Sequence, residues 1–210
     1  MCLIFFILTL FPQATPLPPF QETWTDGVLS GSRLNLFLYL DPTRPDERSL
    51  YECRLAGVAE VRDPADIAGS FHYELLRRLY DNGTNALAYS TSGQTLYART
   101  IGAELYEKCD QSTQFAPGCK QFARYVVILE AQQGSVKRVD VATQMLRAGL
   151  LYLSRGYALE LNEKEAKPYV EAQQFAESRK YGVWRFDPEI WRRPELPRIP
   201  RTRPRYPVNK

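Results

Sequence analysis

The chain has 210 residues, of which 44% are hydrophobic, 12% aromatic and 24% charged. This composition is globular and excludes collagen-like, coiled-coil and wholly disordered chains, and the length suits one hydrophobic core with tails. The net charge of +3 is uneven, because residues 192–210 hold seven basic side chains against one glutamate, a net of +6, which leaves −3 on the remainder. The sequence therefore predicts an acidic body with a basic tail.

The N-terminus carries an unbroken apolar run, CLIFFILTLF at residues 2–11, which ends at Pro12. A membrane-spanning helix needs about 20 apolar residues, whereas the core of a signal peptide needs about 7–15. We therefore interpret residues 1–14 as a signal peptide or truncated membrane anchor, and residues 15–27 as an extended linker. This favours the secretory pathway or a membrane-anchored protein, with an organellar membrane as the alternative.

Two further features suit a secretory chain. Cys109 and Cys119 bracket a polar, turn-rich segment and are a candidate disulfide. Asn82 opens the sequon Asn-Gly-Thr and is a candidate glycosylation site. Cys53 lies in an apolar strand-like segment and is expected to be a small buried residue. A single histidine and the absence of any C-x-x-C pair exclude the usual zinc spacings.

The first half of the chain predicts a hairpin followed by a helix. Leucines at every second position of residues 33–40 indicate a strand, and a turn at 41–45 leads to a second strand over about 49–58. An apolar stripe predicts a helix over 64–80, which Asn82-Gly83 should end. Further strands are predicted at 86–90, 95–99 and 124–130.

The second half predicts two more helices. Asp140 is placed to cap a short helix over 141–148 that Gly149 ends, and a strand-like segment follows at 150–154. A longer helix is predicted over about 163–181, before Gly182. Residues 187–210 are rich in proline and arginine, which predicts a polyproline-like tail.

This order of elements resembles that of the staphylococcal nuclease-like (thermonuclease) family. Four segments carry the resemblance: CRLAGV at 53–58, RYVVIL at 124–129, VATQMLRAGL at 141–150 and EAQQFAESRKYGVW at 171–184. The fold that the resemblance implies is α+β, a five-stranded OB-type β-barrel with about three packed helices. It would occupy residues 28–186, with an insertion at about 86–123.

The resemblance also implies where the chemistry of such a nuclease would lie. The family holds calcium with the acids of an Asp-Gly-Asp turn and a third aspartate, and orients water with a glutamate. In this chain those positions fall on the residues Ser30, Ser32, Ala59 and Arg62. Hydroxyl groups lack the anionic charge that anchors calcium, so the metal and catalytic half is predicted to be degenerate.

The two arginine positions of the family, by contrast, are filled by Arg54 and Arg124. We expect these side chains either to bind phosphate or to pair with carboxylates of the body, such as Glu52 or Glu60. The sequence does not decide between phosphate binding and pairing with carboxylates.

A displaced set of metal ligands is also open, since Glu60 and Asp63 each lie one residue beyond an expected acid, and Asp26 precedes the serine turn. A bulge would be needed to bring them back, because a one-residue slip turns a strand side chain to the other face. Calcium is expected only with that rescue, and otherwise no cofactor is expected.

The leading interpretation is a catalytically degenerate nuclease-like domain that acts as a binding or scaffold module rather than as an enzyme. Its partner would be nucleic acid or an acidic protein surface, engaged through the tail, through Arg54 and Arg124, or through both, with membrane attachment at the N-terminus as an option. One alternative is an active metal-dependent phosphodiesterase. Another is a structural subunit of a larger assembly.

Overall fold

A computed structural model describes residues 19–40, 46–64, 72–109, 119–135 and 137–192. These residues form a mixed α+β fold in which helices pack on a curled, half-barrel sheet. The predicted signal or anchor at 1–14, the turn at 41–45 and residues 193–210 of the tail lie outside the described residues.

The sheet is built from strands close to each other in the chain and from one distant pairing. The strands are β1 Gln21–Thr23, β2 Thr25–Ser30, β3 Arg33–Leu38, β4 Ser49–Leu55, β5 Val58–Ala59, β6 Thr95–Cys109, β7 Cys119–Gln132, β8 Val139–Asp140 and β9 Tyr152–Leu153. Seven of them form one sheet in the order β1-β6-β7-β4-β3-β2, with β8 beside β7, while β5 and β9 form a separate pair. All pairings are antiparallel except that of β4 with β7.

Five helices accompany the sheet: α1 Tyr73–Thr91, α2 Val141–Arg147, α3 Tyr157–Glu160, α4 Glu163–Arg179 and α5 Pro188–Trp191. The cap that the sequence predicts for α2 is confirmed, because the carboxylate of Asp140 accepts a hydrogen bond from the backbone of Thr143 at 2.6 Å. Helix α4 begins with a capping box, in which Asn162 and Glu165 each bond the other's backbone N–H.

The core follows from strand alternation. The leucines at positions 34, 36 and 38 of β3 point inward and are fully buried, as the period-two pattern predicts. They pack with the inward residues of β4 and β7 and with helices α2 and α4. A second cluster gathers around the fully buried Trp191.

Helix α1 corrects two sequence-based expectations. It continues through Asn82 and Gly83 to Thr91, so the predicted end at Asn82-Gly83 and the predicted strand at 86–90 are both wrong. Gly83 is buried where α1 crosses the β2–β3 turn. A Cβ atom at Gly83 would lie 3.6 Å from the Cα of Gly31, so the two glycine backbones are in contact. The glycine therefore serves a close approach between elements and does not stop the helix.

The limits of the folded unit also differ from the prediction. Residues 21–27, expected in a linker, belong to β1 and β2, and residues 188–191, expected in the tail, form α5. Within the expected insertion at 86–123, the described residues lie mostly in the end of α1, in β6 and in the first residues of β7. Within the described residues, the main sheet has seven strands, of which β1 and β8 are three residues long or shorter.

Candidate functional site

Strands β4, β6 and β7 bring four charged side chains together on the outer face of the sheet, and helix α3 adds a fifth, Glu160. In the strand register, Arg124 lies directly opposite Glu104 of β6, and the parallel pairing of β4 with β7 places Glu52 beside it. Arg54 follows Glu52 on the same face of β4. We call Glu52, Arg54, Glu104, Arg124 and Glu160 the charged cluster.

Glu160 closes one side of the charged cluster from helix α3. Its two carboxylate oxygens accept hydrogen bonds from both terminal nitrogens of Arg54, at 2.8 and 3.0 Å. One of those oxygens also accepts the backbone N–H of Gly57 at 2.8 Å. Gly57 has a φ of +69° and a Cβ there would lie 2.5 Å from Leu161, so only glycine presents this N–H without strain.

Glu104 links the two arginines. One carboxylate oxygen lies 3.0 Å from Nε of Arg54 and the other lies 3.5 Å from a terminal nitrogen of Arg124. Nε of Arg124 donates to Glu52 at 2.6 Å. Two arginines therefore face three carboxylates, so the charged cluster has a formal net charge of −1.

The charged cluster is largely removed from water. The side chains of Arg54 and Glu160 are 12% and 7% exposed. Burial lowers the pKa of Arg54, but its hydrogen bond and charge interactions with Glu160 and Glu104 outweigh burial and raise that pKa above its ordinary value. Arg54 is therefore a cation, and Glu160 and Glu104 stabilise its charge.

The pairing that the sequence left open is thus present for both arginines. Arg124 pairs with Glu52, one of the two carboxylates that were anticipated. Arg54 pairs with Glu160 and Glu104, neither of which the sequence identified, and not with Glu60. Phosphate binding by these arginines stays a prediction.

Glu60 is engaged at the serine turn between β2 and β3. Its carboxylate is almost fully buried and accepts the backbone N–H of Ser32 at 3.1 Å and the Ser32 hydroxyl at 3.2 Å. Arg33 lies 3.5 Å from the other oxygen and donates from Nε to the buried hydroxyl of Ser30 at 2.9 Å. This group is neutral overall and satisfied from within the chain.

The remaining positions of the expected metal site are dispersed. Ala59 pairs with Tyr152 in the two-stranded sheet, and the backbone of Arg62 donates to Trp191 at 3.0 Å. Asp26 is exposed on β2 and Asp63 is half-buried. Within the described ranges, no three His, Cys, Asp or Glu side chains are grouped so that they could hold a metal ion.

The candidate modification sites are located by the backbone. Asn82 is exposed on α1, and the Thr84 hydroxyl of its sequon donates to the Tyr80 carbonyl at 3.1 Å. Cys109 and Cys119 are direct partners at the far end of the β6–β7 register. Cys53 is buried, as expected, and burial raises the pKa of its thiol to about 12.

A second group of side chains, which the sequence did not identify, lies further along the same outer face. The Arg48 guanidinium stacks between the rings of Trp24 and Tyr39, 4.6 and 4.4 Å from their centroids. Trp24 also stacks on Phe37 with centroids 4.8 Å apart, and Phe37 is the register partner of Leu50. We call these five residues the aromatic patch.

Neither a family model nor a curated protein matches this chain. A search of the described helices finds none long and apolar enough to cross a membrane.

Proposed function

We propose that this protein is a thermonuclease-like, five-stranded OB-type barrel whose nuclease centre is silent, and that it acts as a binding or scaffold module. The path of the sheet supports the barrel. Strands β1 and β2 are separated only by Trp24, yet β1 pairs with β6 and β2 pairs with β3. Because β1 and β2 lie at the two ends of the strand order, treating them as one bent strand closes the sheet into a barrel. This barrel has five strands: the bent strand, β3, β4, β6 and β7.

One observation carries the proposal of a silent centre. The Glu160 carboxylate takes two hydrogen bonds from Arg54 and one from the Gly57 backbone, the same donors that an anionic phosphate group would need. An incoming phosphate would have to displace a buried, three-fold bonded carboxylate. It would also meet the charges of Glu52 and Glu104, which lie on Arg124.

The metal half of the centre points the same way. The serines at the expected acidic positions are bonded to Arg33 and Glu60, so Glu60 is committed to the turn. A nuclease with displaced ligands would need this carboxylate to leave the Ser32 N–H, a buried donor that would then lack an acceptor. We therefore favour binding over hydrolysis.

The charge balance disfavours nucleic acid as a ligand of the charged cluster. Binding to nucleic acid depends on neutralising backbone phosphates with uncompensated positive charge. The charged cluster has none to offer, because its two arginines already face three carboxylates. Its role in the proposal is to hold β4, β6, β7 and α3 together.

A cleavage assay on the full chain tests the proposal. Single-stranded and duplex DNA and RNA are incubated with the protein while calcium is titrated to millimolar levels, and Arg124→Ala is compared with wild type. Arg77→Ala, at a 57% exposed position on α1, is the matched control. We expect no cleavage that depends on Arg124. Calcium-dependent cleavage that is lost in Arg124→Ala and kept in Arg77→Ala would overturn the proposal.

A further inference from the structure

The aromatic patch is an exposed apolar surface on the sheet. Trp24 is 48% exposed, Leu50 44% and Tyr39 38%. Other exposed large side chains lie apart from it, on helices, such as Tyr89 and Leu159, or on strand β6, such as Leu105. Single exposed apolar residues are normal on protein surfaces, but a contiguous group that includes a tryptophan indicates a contact surface.

The patch is also rigid. Its cation, Arg48, is held between two rings, and Trp24 is stacked on Phe37. The backbone beneath it is fixed, since Phe37 donates its N–H to the carbonyl of Trp24 at 3.1 Å and Tyr39 donates its N–H to the Gln21 side chain at 2.9 Å. A preformed ladder of rings binds a partner with little loss of conformational entropy.

The charges around the patch select the chemistry of that partner. Glu22 and Asp26 lie two residues before and after Trp24, and Asp46 and Glu47 directly precede Arg48. All four are exposed carboxylates. Among the five residues of the aromatic patch, Arg48 alone is basic. The four acids around the patch repel a polyanion, whereas a surface that stacks nucleic-acid bases would need to attract one.

Rings flanked by carboxylates match a proline-rich segment that also carries arginines. Polyproline-type segments dock into aromatic-lined grooves because proline rings pack on aromatic rings, and their backbone needs little ordering. Arginine side chains of such a segment would pair with the flanking acids. Residues 193–210 of this chain contain five prolines, five arginines and one lysine against one glutamate.

We propose that the aromatic patch is the docking surface for the C-terminal segment of its own chain, residues 193–210. The segment is also long compared with the domain. The segment follows α5, and eighteen residues in a polyproline conformation extend about 56 Å. A domain of this size measures about 40 Å across. This inference is independent of the nuclease-like assignment, because it uses neither Arg54 nor Arg124.

Limited trypsin digestion of the full chain tests the inference. The segment contains Arg198, Arg201 and Arg205, none of which is followed by proline. The rate of cleavage at these sites reports how often the segment leaves the surface. Wild type is compared with the double variant Trp24→Ala/Tyr39→Ala, and Tyr89→Ala, at an 83% exposed aromatic position on α1, is the matched control.

We expect cleavage in the double variant to be at least about tenfold faster than in wild type, whereas Tyr89→Ala stays within about twofold. A second variant, Asp46→Lys/Glu47→Lys, leaves every ring in place and is also expected to accelerate cleavage at the three arginines. Circular dichroism and thermal unfolding of each variant establish that the fold is retained.

Three outcomes would overturn the inference. Equal cleavage rates in wild type and both multiple variants would show that the segment does not use this surface. Protection that increases with protein concentration would assign the surface to the segment of a second copy. Binding of a fluorescent single-stranded oligonucleotide that is lost in Trp24→Ala/Tyr39→Ala would assign the surface to nucleic acid.

Discussion

The charged cluster and the aromatic patch lie on the same outer face of the same strands, but only one of them is complete by itself. Along β4 the outward residues run from Leu50 through Glu52 to Arg54, so the two regions are adjacent in the strand. At one end every charge has a partner within the chain. At the other end the rings of Trp24 and Tyr39 are exposed to solvent.

On our two proposals, the regions have different roles: the charged cluster holds the fold together, and the aromatic patch docks a segment. Buried arginines impose a large desolvation cost unless carboxylates pair with them, and pairing removes the free positive charge that phosphate binding requires. The apolar area of the aromatic patch, by contrast, is covered only if a further segment docks on it. The predictions below probe each side of this comparison, beginning with the largest expected effect.

Removing Glu160 should have the largest effect on stability. Glu160→Ala leaves the 12% exposed Arg54 with Glu104 alone and the Gly57 N–H without its acceptor. We expect a loss of about 3 kcal/mol in the free energy of unfolding, measured by urea titration. Leu159→Ala, at an exposed position of the same short helix, should change stability by less than about 0.5 kcal/mol. Equal losses in the two variants would contradict a buried, closed cluster.

Breaking the predicted disulfide should have the next largest effect. Direct partners in an antiparallel pair have Cα atoms about 4.5–5.5 Å apart, within the range that a disulfide bridges, and Cys109 and Cys119 are such partners. A bridge here would close the short segment of chain between β6 and β7, the strands that carry Glu104 and Arg124, so reduction should cost about 2.5 kcal/mol.

Mass spectrometry of alkylated peptides checks the bridge. We expect the peptides containing Cys109 and Cys119 to be alkylated only after reduction. Alkylation of both cysteines in the unreduced, unfolded protein would show that the disulfide is absent.

The inward face of β4 gives a smaller, pH-dependent effect. The pKa of Cys53 is raised by burial from 9.0 to about 12, so above pH 9 the unfolded chain releases a proton that the folded chain keeps. The stability that this thiol contributes is complete below pH 9 and is lost as pH rises toward 12.

Comparing wild type with Cys53→Ala isolates this thiol from other groups that titrate in alkali. The stability difference between them should shrink by about 1 kcal/mol per pH unit above pH 9, as measured by urea titration at several pH values. Parallel pH profiles would indicate that Cys53 is accessible to water. The inward face of β4, behind the two outer regions, would then not be a buried core.

The sequence predicted the elements that local signals determine. Leucine alternation in β3, the Asp140 cap of α2 and the length of α4 all depend on residues within a few positions of each other. The prediction for the end of α1 is wrong for the opposite reason. Gly83 is a strong local stop signal, but its role is set by contact with Gly31, more than fifty positions earlier.

The candidate site shows the same division. The pairing of Arg124 with Glu52 could be anticipated, because Glu52 and Arg54 alternate on one strand face beside it. Glu160 lies 106 positions from Arg54, and no local pattern joins them. Trp24 was assigned to a linker because the pairing of β1 with the distant β6 leaves no periodic signal in three residues.

A double-mutant cycle on Arg54 and Glu160 tests the central claim, that the arginine site is closed by an internal ion pair, most directly. The free energies of unfolding of wild type, Arg54→Met, Glu160→Gln and the double variant give the coupling between the two side chains. The exposed pair Arg77 and Asp81 on α1, 3.8 Å apart, is the reference and should give about 0.3 kcal/mol. We expect a coupling of about 2 kcal/mol for Arg54 and Glu160. A coupling no larger than that of the reference pair would contradict the account and leave Arg54 open to an outside anion.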